Sequence, residues 1–236
     1  MILADVPGRA VAVFAHPDDP EVACAGTLAA WVAGGAEVHL VVVNRGEKGS
    51  TDPATDPDAL AATRAGEVAE AADVLGLASA EVLGIPDGEA EPSAGLREAV
   101  VARIRRLRPD VVVFPDPTAV FFGDSYVNHL DHRGVGWATL DACAPMAGSP
   151  LYFPAAGPAH RPGTALLAGS LEPDCWVDIT ATIDRKAAAL ACHRSQLGDA
   201  GADVLAEVVR GRAEDAARAS GDRRVRLAEG FRRLRL

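Results

Sequence analysis

Three apolar runs constrain this chain more than anything else in it. Val11–Ala15 (VAVFA), Val38–Val43 (VHLVVV) and Val111–Phe114 (VVVF) are almost unbroken hydrophobic stretches rich in β-branched residues. A strand with one face in water alternates apolar and polar residues, whereas a continuous run fits a strand covered on both faces, as in a parallel sheet. Weaker runs at Ala80–Leu83, Ala165–Ala168 and Cys175–Ile179 extend the series. Helical patterns lie between them. Glu21–Ala33 is rich in Ala and stops at Gly34-Gly35, and Asp58–Leu75 ends at Gly76. Leu96–Leu107 carries Leu96, Val100, Ile104 and Leu107 as one apolar stripe. Ile183–His193 and Ala202–Ala219 are further helix candidates. Strands alternating with helices predict right-handed β-α-β crossovers, and so an α/β, three-layer Rossmann-like fold with a mostly parallel sheet. A chain of 236 residues suits one such domain, 1–236.

Composition narrows the function classes. Asp and Glu number 33 against 23 Lys and Arg, a net charge of −10, which repels phosphate backbones and predicts no nucleic-acid partner. Aromatic residues are only 5%, too few for a base-stacking surface. Cys24, Cys143, Cys175 and Cys192 are far apart and form no C-x-x-C pair, so they read as reduced, mostly buried thiols. No stretch approaches the roughly 18 consecutive apolar residues of a membrane span, and the expected location is cytoplasmic.

The first strand runs straight into Ala15-His16-Pro17-Asp18-Asp19-Pro20-Glu21, and a helix follows. In open α/β sheets, ligands bind outside the carboxyl ends of the strands. An imidazole and two carboxylates within four residues are costly to bury idly, and a divalent cation satisfies them together. Helix capping by Asp18 or Asp19 would account for one carboxylate only. A second cluster, Asn128-His129-Leu130-Asp131-His132-Arg133, follows the Val111–Phe114 strand after a loop. Two of the chain's six histidines fall there, three residues apart, so that at a helix start both rings can face one cavity.

The pairing of Ala-His-Pro-Asp-Asp with His-x-Asp-His-Arg resembles the PIG-L/LmbE-like family of metal-dependent N-deacetylases, which act on N-acetylglucosaminyl groups and related N-acyl sugars. Further stretches resemble the same family in order: Arg45-Gly46-Glu47-Lys48-Gly49-Ser50, Arg64-x-x-Glu67, Pro86-Asp87-Gly88, His193-Arg194-Ser195-Gln196 and Ala228-Glu229-Gly230-Phe231-Arg232. The resemblance implies one deacetylase domain over 1–236. It implies His16, Asp19 and His132 as ligands of one Zn²⁺ (or Fe²⁺), Asp18 as general base, and His129 as general acid or oxyanion stabiliser. The chemistry is coherent: two imidazoles and a carboxylate suit a borderline cation and leave it open to water and substrate. The implied partner is a small-molecule N-acetylated sugar conjugate; assembly as a homo-oligomer is left open.

Other positions carry weaker expectations. The resemblance suggests sugar-hydroxyl contacts for Arg64 and Asp87, against an ordinary surface Arg and a turn Asp. Tyr126 stands three residues before His129, where it would donate to the oxyanion or simply pack. Asp131 would orient a ring or lie exposed at the helix start, and Asp116 would support the second cluster. His193 reads as structural or pocket-lining, His39 as a strand residue, and His160 has no nameable partner. Two departures stand out: Pro20 separates Asp19 from Glu21, which leaves that Glu without an assigned role, and Leu130 replaces the family's usual Pro. The loop Gly148–Gly163 reads as an excursion or lid which, with Gly46–Pro57, would discriminate substrates. The Arg-rich tail from Val208 reads as a solvated helix face. Two rival functions compete with this reading. One is a same-fold amidohydrolase acting on a non-sugar N-acyl group. The other is a nucleotide-binding module resting on Gly134-Val135-Gly136, which lacks a third glycine and follows no strand.

Overall fold

The apolar runs become the inner strands of a seven-stranded sheet. In the computed structural model, which describes residues 1–197 and 201–236, the chain begins with β1 (Arg9–Phe14), α1 (Asp19–Ala23), α2 (Ala25–Ala33) and β2 (Glu37–Asn44). It continues through α3 (Pro57–Leu75), β3 (Ser79–Ile85), α4 (Ala94–Leu107) and β4 (Val111–Pro115). A short hairpin, β5 (Phe121–Phe122) and β6 (Tyr126–Val127), leads into α5 (Leu130–Asp141). Then come β7 (Thr164–Ala168), β8 (Cys175–Asp178), α6 (Ile183–Leu190), α7 (Gly201–Ser220) and β9 (Ala228–Arg235).

The strand order is β3-β2-β1-β4-β7-β9-β8, parallel from β3 to β7, with β9 antiparallel to both of its neighbours. Successive β1 residues feed opposite faces. Ala10, Ala12 and Phe14 pack with Leu28, Trp31, Val68 and Ile183 from α2, α3 and α6. Val11, Val13 and Ala15 pack with Leu96, Val100, Ile104 and Val135 from α4 and α5. Burial on both faces is why these strands read as continuous runs, and each fully buried Val or Leu contributes about 1.5–3 kcal/mol. Helix ends follow local chemistry. Asp56 accepts from the Asp58 and Ala59 N–H groups at the start of α3, Pro57 occupies its first turn, and Gly76 closes it at φ 75°.

Three expectations are corrected. The helix read as Glu21–Ala33 is broken at Cys24 (φ −150°) into α1 and α2. The break is held from a distance: the Glu229 carboxylate accepts from the N–H groups of Gly26 and Thr27 at 3.0 and 2.7 Å, giving α2 its own capped start. The Arg-rich tail is helical only to Ser220, and Ala228–Arg235 inserts between β7 and β8 as a strand. Phe231 faces one layer while Leu234 and Leu236 face the other, a period-2 pattern masked by the arginines between them. The Gly148–Gly163 segment is an excursion and no lid over the strand ends that carry the histidine clusters. Its end is tied to the start of β4, where Gly163 and Thr164 N–H donate to the Asp110 carbonyl. Buried Arg105, in the last turn of α4, donates to the carbonyls of Met146, Ala147, Ser149, Tyr152, Phe153 and Gly157.

Candidate metal centre

Strand order reverses at β1, which pairs with β2 on one side and β4 on the other. Such a switch point opens a crevice at the strands' carboxyl ends. The segment after β1 brings His16, Asp18 and Asp19 into it, and the segment after β4 delivers His129 and His132 at the start of α5. His16 Nδ1, an Asp19 oxygen and His132 Nε2 lie within 4.8 Å of one another. His16 Nδ1 is 3.2 Å from His132 Nε2, which is itself 3.2 Å from Asp19 Oδ1. His16, His129 and Asp131 form a second grouping of the same size.

The outer nitrogen of each ring decides what the inner one offers. His16 Nε2 is 3.0 Å from Asp131 Oδ2, and His132 Nδ1 is 2.8 Å from Asn128 Oδ1. Both partners are acceptors, so both outer nitrogens carry a proton, and in the neutral rings both inner nitrogens turn lone pairs toward the same point beside the Asp19 carboxylate. Two facing lone pairs 3.2 Å apart repel unless a positive charge, a proton or a metal ion, lies between them. A cation between them resolves the conflict, so the donor set fits a borderline divalent metal.

Asp131 is fully buried and also accepts from the Gly88 and Ala90 N–H groups at 2.7 and 2.9 Å. Burial works against its charge, but these bonds and His16 hold its carboxyl below the usual range. It is therefore an orienting partner, not an exposed helix-start carboxylate. Burial likewise opposes the charge of Asp19, and hydrogen bonds from His132 and His16 outweigh it, holding Asp19 well below the carboxylate range. Burial draws His16 down, yet Asp19, Asp87 and Asp131 raise it to about 9. The cluster draws positive charge.

Asp18 stands apart from this group. Its φ of 97° is one that L-residues rarely adopt, a strain typical of functional turns. Burial and neighbouring Asp19 push its carboxyl up to about 7 against the pull of Arg64. Arg64 is 3% exposed: it donates to the carbonyls of Pro17 and Gly46 and lies 3.2 Å from Asp18 Oδ2. It is no helix-surface arginine. The loop after β2 wraps it so closely that a Cβ on Gly49 would come within 2.5 Å of the guanidinium. Asp87 organises that loop, accepting from the Gly46 and Lys48 N–H groups at 3.0 and 3.1 Å. His129 is half-exposed; burial and the charge on His16 lower its pKa. Its Nδ1 accepts from the Asp131 N–H, which leaves Nε2 as the donor.

Two cavities meet at the cluster. One of about 390 Å³ is lined by His16, Asp18, Lys48, Arg64, Asp87 and His129. The other, of about 710 Å³, reaches Asp19 and His132 and includes Tyr126, which is 53% exposed and packs its ring 5.8 Å from that of Phe122. Tyr126 is thus not brought into the polar cavity with Arg64, Asp87 and His129. Asp116 accepts from Thr118 N–H and Oγ and lines the larger cavity with His132, and His39 bonds Ser79. His160 bonds the Pro109 carbonyl, a partner the sequence did not name. Glu21 and His193, both buried, form a pair at 3.1 Å, while Glu67 accepts from Ser195 N–H and Oγ. Asn128 is the residue that sequence reasoning missed; its signal was its place four residues before His132. The glycines offered for nucleotide binding are packing sites, since a Cβ on Gly134 would meet the Ala90 carbonyl at 1.9 Å.

Residues 11–143 match the family model described as PIG-L: GlcNAc-PI de-N-acetylase. The chain is 35% identical over 175 residues to a 1D-myo-inositol 2-acetamido-2-deoxy-alpha-D-glucopyranoside deacetylase from Kineococcus radiotolerans, covering 61% of this chain but 47% of that relative. It is 28% identical to the diacetylchitobiose deacetylase of Thermococcus kodakarensis, over 80% of this chain and 70% of the relative. Among solved structures, the N,N'-diacetylchitobiose deacetylase of Pyrococcus horikoshii, complexed with its inhibitor MPG, superposes with a TM-score of 0.86 at 28% identity. That superposition covers 98% of this chain and 88% of the other. With the donor cluster at the sheet's switch point and more than half of its length matched by the family model, the chain belongs to the PIG-L family.

Proposed function

We propose that the protein is a Zn²⁺-dependent hydrolase that removes the N-acetyl group from an N-acetylglucosaminyl conjugate. The observation that carries this reading is the convergence of two imidazole lone pairs and the Asp19 carboxylate beside a strained, protonatable Asp18. His16, Asp19 and His132 would hold the metal, which when bound acidifies water and polarises the amide carbonyl. Asp18, next to that group and tied to Arg64, accepts the proton of the attacking water. His129 offers its Nε2–H to the developing oxyanion, and the proton that Asp18 takes from the water passes to the departing amine. Lys48, Arg64 and Asp87 line the adjoining cavity with charged and hydrogen-bonding groups suited to sugar hydroxyls. N-acetylglucosaminyl substrates are favoured because both curated relatives described above act on such sugars.

The test is metal content and deacetylation by metal-reconstituted protein on acetylglucosaminyl-inositol, acetylglucosaminyl-malate and diacetylchitobiose. Asp18→Asn is expected to keep about one equivalent of metal and lose roughly 10²–10⁴-fold in kcat. Asp19→Ala should lose metal and activity together. Full activity of Asp18→Asn would remove the mechanism.

A further inference from the structure

The smaller cavity at the cluster, of about 390 Å³, carries Asp18, Arg64, Asp87 and His129. The departing nitrogen takes its proton from Asp18, so the sugar ring that bears it lies in this cavity. In a glycoside the aglycone springs from the ring carbon next to the one bearing nitrogen. It therefore starts within a few bonds of the metal, where the cleft of about 710 Å³ opens at Asp19 and His132. That cleft is of mixed polarity. Phe122 and half-exposed Tyr126, paired across the β5–β6 hairpin, make an aromatic corner in it. Arg212, on α7, is exposed and pairs with no carboxylate among the described residues. Asp116 is 2% exposed and spends Oδ1 on both Thr118 N–H and Oγ, leaving Oδ2 without a partner among the described residues. Lys186 and Glu229, by contrast, are spent on each other at 2.5 Å.

We infer that the cleft between α1, α7, the β5–β6 hairpin and the ends of β1 and β4 is the aglycone subsite, and that it seats a second polyhydroxylated ring, a sugar or a cyclitol, joined to the N-acetylglucosaminyl group. This assignment rests on the proposed function and names the other half of its substrate. A hydrocarbon aglycone would leave the Asp116 oxygen and the Arg212 guanidinium unpaired as it displaced their water. A polyol ring meets all three features. Its hydroxyls donate to Asp116 Oδ2 and accept from Arg212, while its slightly positive C–H face lies against the negative face of an aromatic ring. Tyr126, Arg212 and Asp116 are then the residues that set specificity for the aglycone.

The experiment measures kcat/KM of the Zn²⁺-loaded enzyme on N-acetylglucosamine, diacetylchitobiose, acetylglucosaminyl-inositol and octyl N-acetylglucosaminide. The chitobiose and inositol arms tell a sugar from a cyclitol, and the octyl arm puts a chain without hydroxyls in the same place. At least one of the two polyol conjugates should exceed N-acetylglucosamine roughly tenfold or more, and the octyl glycoside should not. Tyr126→Ala and Arg212→Ala, both at exposed positions, should each cut the polyol-to-monosaccharide ratio by about three- to tenfold. Asp116→Asn keeps an oxygen for Thr118 but puts a donor in place of Oδ2, and should lower the same ratio. Calorimetry on metal-free protein supplies a readout independent of turnover: the favoured conjugate should bind more tightly than N-acetylglucosamine, and Tyr126→Ala should narrow that gap. Equal kcat/KM on all four sugars, an equal gain from the octyl glycoside, or ratios that the variants leave unchanged would overturn the subsite, and cleavage of N-acetylglucosamine would keep the proposed function standing. Variant-sensitive binding of the conjugate without cleavage of any sugar would support the subsite and overturn the proposed function.

Discussion

At the residue scale, the candidate centre depends on side chains that would never touch the metal. Asp131 and Asn128 each accept a proton from the far nitrogen of a histidine and so set which nitrogen is bare. Asp131 is the more demanding position, because its two oxygens also hold the Gly88 and Ala90 N–H groups. Asp131→Asn keeps the shape but exchanges an acceptor for a donor and frees His16 to rotate or change tautomer. Zn²⁺ affinity, read by competition with a chelator, should fall about 10–100-fold. Unchanged affinity would mean that the His16 ring is aimed by packing alone. Arg64 shows the same logic on the proton-transfer side, since its guanidinium joins the Pro17 carbonyl, the loop after β2 and Asp18.

At the scale of elements, α1 is only five residues long and cannot hold its own position. It is clamped at two adjacent residues. Lys186 donates to the Val22 carbonyl at 2.8 Å, and Glu21 pairs with His193 at 3.1 Å. Burial opposes a charge on His193, but Glu21 more than offsets it, so the folded-state pKa lies above the usual value. A raised pKa means that the folded state holds the proton more tightly than the unfolded one. The stabilisation is then complete below about pH 6.5 and is lost as pH rises through the folded-state value. Urea midpoints should therefore fall between pH 6 and 8 in the wild type. In Glu21→Gln that slope should flatten or reverse, with lower stability at pH 6. Parallel pH profiles for the two proteins would show that the pair is not the source.

At the scale of the whole molecule, the proposed metal ligands are drawn from the segments that follow two strands, β1 and β4, which neighbour each other because strand order reverses at β1. A cation joining His16 and Asp19 to His132 therefore ties the β1 turn to the start of α5, elements more than a hundred residues apart in sequence. A ligand that binds only the folded state stabilises by mass action, about 4 kcal/mol at a thousandfold excess over Kd. For a chain of this length that raises Tm by roughly 8–16 °C. Scanning calorimetry with and without Zn²⁺ should show that rise in the wild type, reversal by a chelator, and no rise in Asp19→Ala. A shift of equal size in the variant would place the ion elsewhere.

Much of this architecture was legible before any coordinates. Strands covered on both faces must be apolar throughout, so β1, β2 and β4 announced a parallel sheet; helices stop where glycine follows; and a strand that runs into His-Pro-Asp-Asp points its charged groups at a crevice. Those are local properties, written in the neighbours of each residue. What the linear chain could not express is which distant groups meet. The strand formed by Ala228–Arg235, the break at Cys24 imposed by Glu229, the removal of Gly148–Gly163 to the opposite end of the sheet by Arg105, and the two cavities around the cluster all depend on strand order. The kinds of ligand atom were thus set by the sequence. Their protonation, aim and surroundings were decided by tertiary structure, because a hydrogen bond or a cavity wall exists only between groups that folding brings together.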